Sequence, residues 1–455
     1  MSLEGKPPQM PGKPGRPRSD EGAALRTVRR EEDPTATHGG EAPGTGALLE
    51  AVLERDNLLR ALKRVKSNRG SPGVDGMRTE DLPAYLRVHW PRLREDLLAG
   101  RYQPQPVRRH EIPKASGGTR VLGIPTALDR LIQQAILQVL QPRFDPTFSE
   151  HSYGFRPGRS AQQAILAAQR HVQAGRVVVV DVDLEAFFDR VNHDVLMGRL
   201  AKRIEDKRLL KLTRRYLEAG MMADGMATAR TEGTPQGGPL SPLLANVLLD
   251  EVDKELEHRG HAFVRYADDL NVYVRSERAG ERVMAFLRER FASLHLRVNE
   301  SKSAVAPARG RKFLGYQLYA YRKEVRRGVS AKSLEAFKAR VRELTRRTVG
   351  RSLQQVIEAL NPLLRGWGNY FRLAQQSKFF ERLDEWIRRR LRMLQLKHWK
   401  RGTTIYRSLR SLGRGSDAQW KAVAAPGGWW RRAERMGFVL RPEWFDRLGL
   451  VRLEQ

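Results

Sequence analysis

Apolar residues recur at helical spacing in several separate stretches of the chain. Residues 47–70 carry them three and four positions apart, which predicts a single helix over this range. Residues 128–140 show the same pattern, and we expect the following Pro142 to end that helix. Ser160 stands immediately before a third pattern at 161–171, in the position of an N-cap.

Other stretches carry the strand pattern. Residues 176–184 form a short, β-branched apolar run that ends in Asp183, which is typical of a buried strand. Two strand-like pieces joined by a glycine turn predict a hairpin over 109–125. In 263–274, two β-rich runs flank adjacent aspartates, which predicts a hairpin with the acids at or beside its tip.

Stretches with helical spacing alternate with these strands up to about residue 330, and only helical spacing is found after that. Ser241 and Pro242 are suited to the N-cap and the first position of a long helix. Further elements are expected at 193–202, 281–294 and 296–298. Beyond residue 331 only helical patterns occur, and one helix is expected to start after Ser352 and to end before Pro362. The pattern predicts an α+β sheet layer with helices on one face, followed by an all-α region.

The charge of the chain favours a polyanionic partner. Its 455 residues include 83 lysines and arginines against 52 acids, a formal net charge of +31. Nucleic acid is the common partner of such a chain. A membrane is not expected, because no apolar run approaches the roughly 18 residues of a spanning helix and no signal peptide is recognisable. The chain has no cysteine, which excludes disulfides and cysteine zinc sites. We therefore expect a cytoplasmic protein associated with RNA or the nucleoid.

Two regions depart from the average composition. Residues 1–46 hold seven prolines and eight glycines, which predicts a disordered tail, with a basic RNA-contacting arm as the alternative. Residues 331–410 hold 20 basic and 6 acidic residues. A helical bundle with this charge suits a surface that lies along a duplex or a folded RNA.

Three acids form a candidate catalytic set. Asp268 and Asp269 repel each other unless a cation lies between them, and hard oxygen ligands favour Mg²⁺. An Asp-Asp pair alone is weak evidence, since such pairs often only cap turns. Asp183 at the end of a buried strand supplies a third acid, and acids so placed are suited to a two-metal phosphoryl-transfer site.

The motifs resemble those of a known family. Tyr-Ala-Asp-Asp at 266–269 resembles the catalytic signature of reverse transcriptases, and residues 183–189 resemble their first metal-binding motif. Residues 233–246 resemble the template–nucleotide motif of group II intron-encoded reverse transcriptases, and 366–371 resemble their maturase-specific segment. The ordered match from about residue 50 to 400 is similar to that of a group II intron reverse transcriptase/maturase.

This resemblance implies an α+β right-hand polymerase, with fingers and palm, followed by an all-α basic thumb/maturase domain. The implied divisions are a tail at 1–46, an N-terminal extension and fingers at 47–170, a palm with some fingers elements at 171–325, a thumb/maturase domain at 326–400 and a short basic C-terminal extension at 401–455. Many relatives carry a C-terminal endonuclease with histidines and zinc-binding cysteines. We expect neither that nuclease nor zinc here, because the chain has no cysteine.

The resemblance also assigns roles to individual residues. The metal ligands would be the carboxylates of Asp183, Asp268 and Asp269 and the backbone carbonyl of Leu184, which would hold two Mg²⁺ ions, with Mn²⁺ as a substitute. The nucleotide-binding residues would be Lys114, Arg120 and Gln236, with Phe188 beneath the sugar and Phe187 as the alternative. The template contacts would be Arg156, Arg159, Gly237 and Lys302, although a structural turn is an equal alternative for the two arginines.

The function implied is RNA-directed DNA synthesis with assistance to the folding, splicing and mobility of a group II intron. The expected partners are structured intron RNA, an RNA template/DNA primer duplex and deoxynucleoside triphosphates. Two alternatives stay open, a reverse transcriptase recruited to host defence or DNA repair and a maturase that acts only as an RNA-folding cofactor. His193 lies near the acids in sequence, and a capping role is favoured over that of a general base.

Overall fold

The computed structural model describes residues 47–113, 119–223, 226–348, 350–376 and 378–453. The fold is mixed α/β with a helical C-terminal region. The chain divides into two compact units. The first contains the described residues up to Pro146 together with His193–Leu244, and the second contains Thr147–Asn192 and the chain from Ala245 onward.

The helices follow one another along the whole described chain. They are α1 (Leu48–Val52), α2 (Arg55–Ser67), α3 (Leu82–Leu98), α4 (Ala127–Phe144), α5 (Ala161–Gln173), α6 (His193–Ala201), α7 (Lys207–Glu218), α8 (Ser241–His258), α9 (Glu277–Ser293), α10 (Ala331–Leu344), α11 (Leu353–Phe371), α12 (Phe379–Trp399), α13 (Gly402–Ser411), α14 (Asp417–Ala424), α15 (Trp429–Arg435) and α16 (Pro442–Arg447). Among the described residues, none of the helices combines the length and the apolar character that a membrane span requires.

The strands form three separate sheets. They are β1 (Val107–Pro113), β2 (Thr119–Ile124), β3 (Val178–Val182), β4 (Met221–Ala223), β5 (Met226–Thr228), β6 (Ala262–Tyr266), β7 (Asp269–Val274), β8 (Ala304–Pro307), β9 (Lys312–Phe313), β10 (Tyr316–Tyr321) and β11 (Glu324–Val329). The sheet orders are β2-β1-β4-β5, β6-β7-β3-β8 and β11-β10-β9. We call the second of these the central sheet.

The first unit contains the predicted hairpin, in which β1 and β2 pair antiparallel. The single helix predicted over 47–70 is wrong, since the chain turns at Leu53 and Glu54 between α1 and α2. The buried Asn57 amide donates to the carbonyl of Val52 at 2.9 Å and to that of Ala135 at 3.1 Å. This side chain satisfies the end of α1 and so stabilises the break.

Two prolines predicted to end helices do not do so. Helix α4 continues through Pro142 to Phe144, and α11 continues through Pro362 to Phe371. A proline inside a helix costs about 3 kcal/mol, because it removes one hydrogen bond and crowds the preceding turn. Burial of a large apolar side chain in the adjoining turn contributes about 1.5–3 kcal/mol. Phe144 and Leu364 are such side chains, so packing offsets the local penalty.

The central sheet of the second unit is covered on both faces, not on one as predicted. Gly280 of α9 lies against the side chains of Val178 and Val180. The intervening Val179 belongs to the apolar cluster that contains Ile165 of α5. Because alternate strand residues point to opposite faces, α9 and α5 cover different sides. This arrangement explains why β3 is apolar at consecutive positions.

The strand predicted at 296–298 is only an isolated bridge between Val298 and Leu184. Two backbone hydrogen bonds hold this bridge. The N–H of Glu185 donates to the carbonyl of Arg297, and the N–H of Asn299 donates to the carbonyl of Asp183. Two such bonds are too few to extend a ladder. The segment instead anchors the chain that follows β3.

The C-terminal region is part of the helical core and not a separate short extension. Buried side chains of α13, α14 and α16, including Leu409, Val423 and Phe445, join one apolar cluster with those of α10, α11 and α12. Six of the seven tryptophans after residue 366 pack against this cluster, while Trp430 is exposed. The described residues after 401 therefore complete the fold of the preceding helices.

Candidate active site

The paired aspartates lie at the tip of the predicted hairpin. Strands β6 and β7 are antiparallel with Tyr266 opposite Asp269, which leaves Ala267 and Asp268 as a two-residue turn. Ala267 has a φ of 58°, a left-handed conformation that side-chain-bearing residues rarely adopt. The turn aims Asp268 independently of the strand, while Asp269 begins β7. Neighbouring carboxylates can therefore converge, as they could not on a continuous strand.

The strand register brings the third acid to the same place. Val182 pairs with Leu270 in the antiparallel β3–β7 ladder, so the next position along β3 lies beside Asp269. That position is Asp183. Its backbone N–H donates to Ser303 Oγ at 3.0 Å, and its carbonyl accepts from the backbone of Asn299 at 2.8 Å. These bonds fix the end of β3 and hence the origin of the Asp183 side chain.

The convergence of acids changes their electrostatics. Burial, followed by the nearby carboxylates of Asp181, Asp268 and Asp183, raises the pKa of Asp269 to about 8. Positive charge partly offsets this repulsion at the rim. Lys302 Nζ lies 3.3 Å from Asp183 Oδ1. Like charges held together in this way favour a bound cation.

The donor set fits a divalent cation completed by substrate. No group of three or more histidines, aspartates or glutamates in the described residues is arranged to hold a metal by itself. Magnesium, however, is usually held by one or two carboxylates together with substrate phosphates and water, and not by an all-protein cage. Asp269 lies buried among the carboxylates of Asp181, Asp268 and Asp183, where a cation would relieve their mutual repulsion. Oxygen donors from acids are the right chemistry for that ion.

A buried network beneath the turn was not predicted from the sequence. Arg265 of β6 is 1% exposed and forms a buried ion pair with Asp253 of α8, with Nε 2.8 Å from Oδ1. The same guanidinium donates through Nη1 to Asn246 Oδ1 and to the carbonyl of Ala267, both at 2.9 Å. The Arg265 guanidinium therefore links the carbonyl of the turn to two residues of α8. A charged residue in the middle of an apolar strand was the available signal.

A glycine completes the support of the turn. Asn246 Nδ2 donates to the carbonyl of Gly154 at 2.9 Å. A Cβ atom at Gly154 would lie only 2.2 Å from the backbone nitrogen of Ala267. No other residue fits this close approach without moving the turn. The position of Asp268 therefore depends on packing from 154 and 246 as well as on its own hairpin.

Phe187 and Phe188, the two candidates for the sugar contact, lie shortly after Asp183 in the chain. Phe187 and Phe188 lie in a short 3₁₀ helix, with ring centroids 5.1 Å apart at 70°. Phe188 is the more exposed of the two, at 9% against 2%. Leu184 is buried at the bridge described above. The roles assigned to Phe188 and to the Leu184 carbonyl stay predictions.

In the first unit, two of the predicted nucleotide-binding residues meet. Arg120 Nε donates to Gln236 Oε1 at 2.6 Å, and the backbone N–H of Gly123 donates to the Gln236 carbonyl at 2.9 Å. Gly237 has a φ of 134°, and a Cβ there would lie 2.7 Å from the carbonyl oxygen of Gly123. The backbone of Gly237 therefore lies close to strand β2. Lys114 lies outside the described residues.

The two arginines predicted to contact the template lie in different environments, one buried and one at the surface. Arg156 is buried, and its Nη1 donates to the carbonyls of Ser149 at 2.6 Å and of Ser152 at 3.0 Å. The prediction of a phosphate contact is wrong for Arg156, because its guanidinium is used inside the protein. Arg159 forms an ion pair with Glu150 at the surface and remains a candidate.

His193 and Ser241 hold the loop that carries Gln236. His193 Nε2 lies 2.7 Å from the carbonyl oxygen of Gly233, and burial lowers its pKa. The predicted capping role is therefore replaced by a loop contact. Helix α8 begins at Ser241 itself, whose hydroxyl donates to the carbonyl of Pro235 at 2.8 Å. Both side chains were assigned to helix starts, whereas both bind the 233–235 segment.

Two family models match parts of this sequence. A reverse transcriptase (RNA-dependent DNA polymerase) domain matches residues 112–318, and a group II intron maturase-specific domain matches residues 334–413. A chain of the solved partial Cas6-RT-Cas1–Cas2 complex shares 27% identity, covering 54% of this chain and 42% of that one, with a TM-score of 0.36.

Two curated relatives share more sequence. Protein YkfC of Escherichia coli (strain K12) is 35% identical over 317 residues, covering 60% of this chain and 82% of YkfC. Group II intron-encoded protein LtrA of Lactococcus lactis subsp. cremoris is 36% identical over 208 residues, covering 46% of this chain. That match spans 34% of LtrA, about one third of its length. The chain belongs to the group II intron-encoded reverse transcriptase/maturase family and carries its RNA-directed DNA polymerase domain.

Proposed function

We propose that the protein copies RNA into DNA at the acids of the central sheet and assists the folding of a structured intron RNA. The observation that carries this proposal is the convergence of Asp183, Asp268 and Asp269 at one end of the central sheet. Burial, together with the surrounding carboxylates, raises the pKa of Asp269 there to about 8. A bound cation would stabilise the charged form of such a cluster. Two divalent ions there would stabilise the charge of the attacking and leaving oxygens during nucleotide transfer.

The chain's own residues would position this chemistry. Asp183, Asp268 and Asp269 would hold the metals, with the Leu184 carbonyl as a further oxygen donor. The Arg265 guanidinium keeps the turn in place through its bond to Ala267, so the carboxylates do not need to reorganise when substrate arrives. In this assignment the central sheet is the palm of a right-hand polymerase.

We assign the incoming nucleotide to residues of the β1–β2 hairpin and the 233–238 loop. Arg120 and Lys114 would bind the triphosphate, because guanidinium and ammonium groups neutralise its several negative charges. Gln236 would contact the nucleotide near the template. The hydrogen bond between Gln236 and Arg120 supports this assignment, because it shows that the two side chains are adjacent. The hairpin would then belong to the fingers.

The helical region after residue 331 would act as the thumb and maturase domain. Its strong excess of positive charge supports binding along a duplex or a folded intron RNA. Arg159, Gly237 and Lys302 would contribute template contacts. With RNA and deoxynucleoside triphosphates as partners, we place the activity in the cytoplasm, on RNA or at the nucleoid.

Primer extension tests the proposal directly. The purified full chain is given a DNA primer annealed to an RNA template, deoxynucleoside triphosphates and Mg²⁺. We expect template-directed products that disappear when a chelator removes divalent ions and return with Mg²⁺ or Mn²⁺. Products that form without a template, or at the same rate after chelation, would refute the proposed function.

A further inference from the structure

A basic cavity lies at the end of the β6–β7 hairpin opposite the catalytic turn. It has a volume of about 430 Å³ and is lined by Arg176, Arg259, Arg275 and Arg282, together with His261 and Phe286. The hairpin register places Ala262 opposite Tyr273 at this end. Four residue steps of strand separate it from the turn, a distance of about 13 Å.

Most of the positive charge of the cavity is not neutralised by acids of the described chain. Its lining contains no aspartate or glutamate. Within the described part of the chain, Arg176, Arg275 and Arg282 form no ion pair, whereas Arg259 pairs with Glu255 at 2.8 Å. Several guanidiniums that face one space without acids repel each other, and an anion between them removes that repulsion.

Two aromatic side chains of the cavity are already in contact with other groups. Tyr273 is buried and stacks with His171, and Phe286 lies beside two arginines. The Arg259 guanidinium lies 4.2 Å from the centre of the Phe286 ring, and that of Arg290 lies 5.9 Å from it. A nucleic-acid base stacks on an open aromatic face, and here guanidiniums compete for the ring. The four arginines of the cavity are therefore better suited to phosphate groups than its rings are to bases.

We propose that this cavity binds backbone phosphates of RNA, at a second site on the central sheet separate from the acids. Arg275 and Arg282 are exposed at its rim, where they can contact an extended strand that passes over the surface. Guanidinium pairs with phosphate through parallel hydrogen bonds, so the contact would be independent of base sequence. That the phosphates belong to RNA rests on the proposed function.

The test compares two double variants of the full chain. R275A/R282A removes two arginines of the cavity, one just before α9 and one on it. R278A/R288A removes two exposed arginines of α9 that do not line the cavity, of which Arg288 is paired with Glu300. The probe is an unstructured RNA oligonucleotide, and its affinity is measured by fluorescence anisotropy over a series of salt concentrations. For the cavity variant we expect the log–log salt slope to become shallower by about 1 per arginine and the affinity at low salt to fall about tenfold. The control variant should stay within about twofold of wild type.

Further arms of the experiment separate the possible failures. Equal losses in both variants would show a general effect of net charge, and an unchanged slope in R275A/R282A would exclude phosphate binding at the cavity. Inorganic phosphate could raise the Tm of wild type but not that of R275A/R282A, while both proteins bind RNA with the same affinity. That result would show that the ligand of the cavity is free phosphate and not RNA. Primer extension at saturating template should be equal in all three proteins, and its absence in wild type would overturn the proposed function without affecting the RNA-binding result.

Discussion

At the residue scale, the acids leave open whether the enzyme prefers deoxynucleotides or ribonucleotides. Phe188 follows Asp183 by five residues, in the short helix after β3. A phenyl ring beneath the sugar fills the space that a 2′-hydroxyl needs and offers it no hydrogen bond, so the hydroxyl would be desolvated without compensation. The adjacent Phe187 is the more deeply buried of the two rings and has the character of a core residue.

We predict that Phe188→Ala raises ribonucleotide incorporation at least about tenfold relative to deoxynucleotide, a change of about 1.4 kcal/mol in discrimination. Phe187→Ala serves as the matched control and should mainly lower stability, as truncation of a buried phenylalanine costs about 3–5 kcal/mol. Single-nucleotide extension with each sugar measures both variants. If only Phe187→Ala incorporates ribonucleotides more readily, the residue beneath the sugar is Phe187 and the assignment to Phe188 is wrong.

At the scale of elements, the hairpin that carries Asp268 is held by α8, the helix that precedes it in the chain. The Arg265–Asp253 pair is fully buried, and the bond from Arg265 to the Ala267 carbonyl links it to the turn. Removing one partner of a buried pair costs about 3–5 kcal/mol, whereas replacing both by apolar residues is often nearly neutral. Stability and positioning of the turn can therefore be separated by mutation.

We expect Arg265→Met to lower the free energy of unfolding by about 3–5 kcal/mol, because Asp253 stays buried without a partner. The double variant Arg265→Met/Asp253→Leu should recover most of that stability. It should still extend primers slowly, since the Ala267 carbonyl has lost its donor. Chemical denaturation and single-turnover extension measure the two effects. A stable double variant with the wild-type rate would show that the network only stabilises the fold.

Local patterns predicted the hairpin, β3, the N-cap at Ser160 and the capping box at Ser352, because each depends on residues close together in sequence. The support of the turn could not be predicted this way, since Arg265 meets partners on another element. The same limit explains the helices that continue through Pro142 and Pro362. There, burial against distant residues outweighs a local signal.

At the scale of the whole molecule, charge dominates the expected interaction with RNA. Each phosphate neutralised releases counterions, which gives a slope of about −0.7 to −0.9 in log affinity against log salt. With a net charge of +31, we predict that binding to a structured RNA shows a slope of about −4 or steeper. Filter binding over a salt series measures it. A slope shallower than about −2 would contradict binding through the basic surface.

The helical region should carry much of this slope. Lys332, Arg346 and Arg382 are exposed there and form no ion pair within the described residues, so the triple alanine variant should flatten the slope by about 2. A matched control replaces Arg101, Lys254 and Arg288, which are also exposed but paired with acids. Equal effects from both triple variants would assign RNA binding to net charge and not to this region.

The most direct test of the account is primer extension by Asp268→Ala, with Asp417→Ala as the control at an exposed acid of α14. If the acids at the hairpin perform RNA-directed DNA synthesis, Asp268→Ala abolishes extension while its RNA affinity stays near that of wild type, because the basic surface is intact. Asp417→Ala extends normally. An Asp268→Ala enzyme within about tenfold of the wild-type rate, less than about 1.4 kcal/mol in the barrier, would contradict the assignment of the active site.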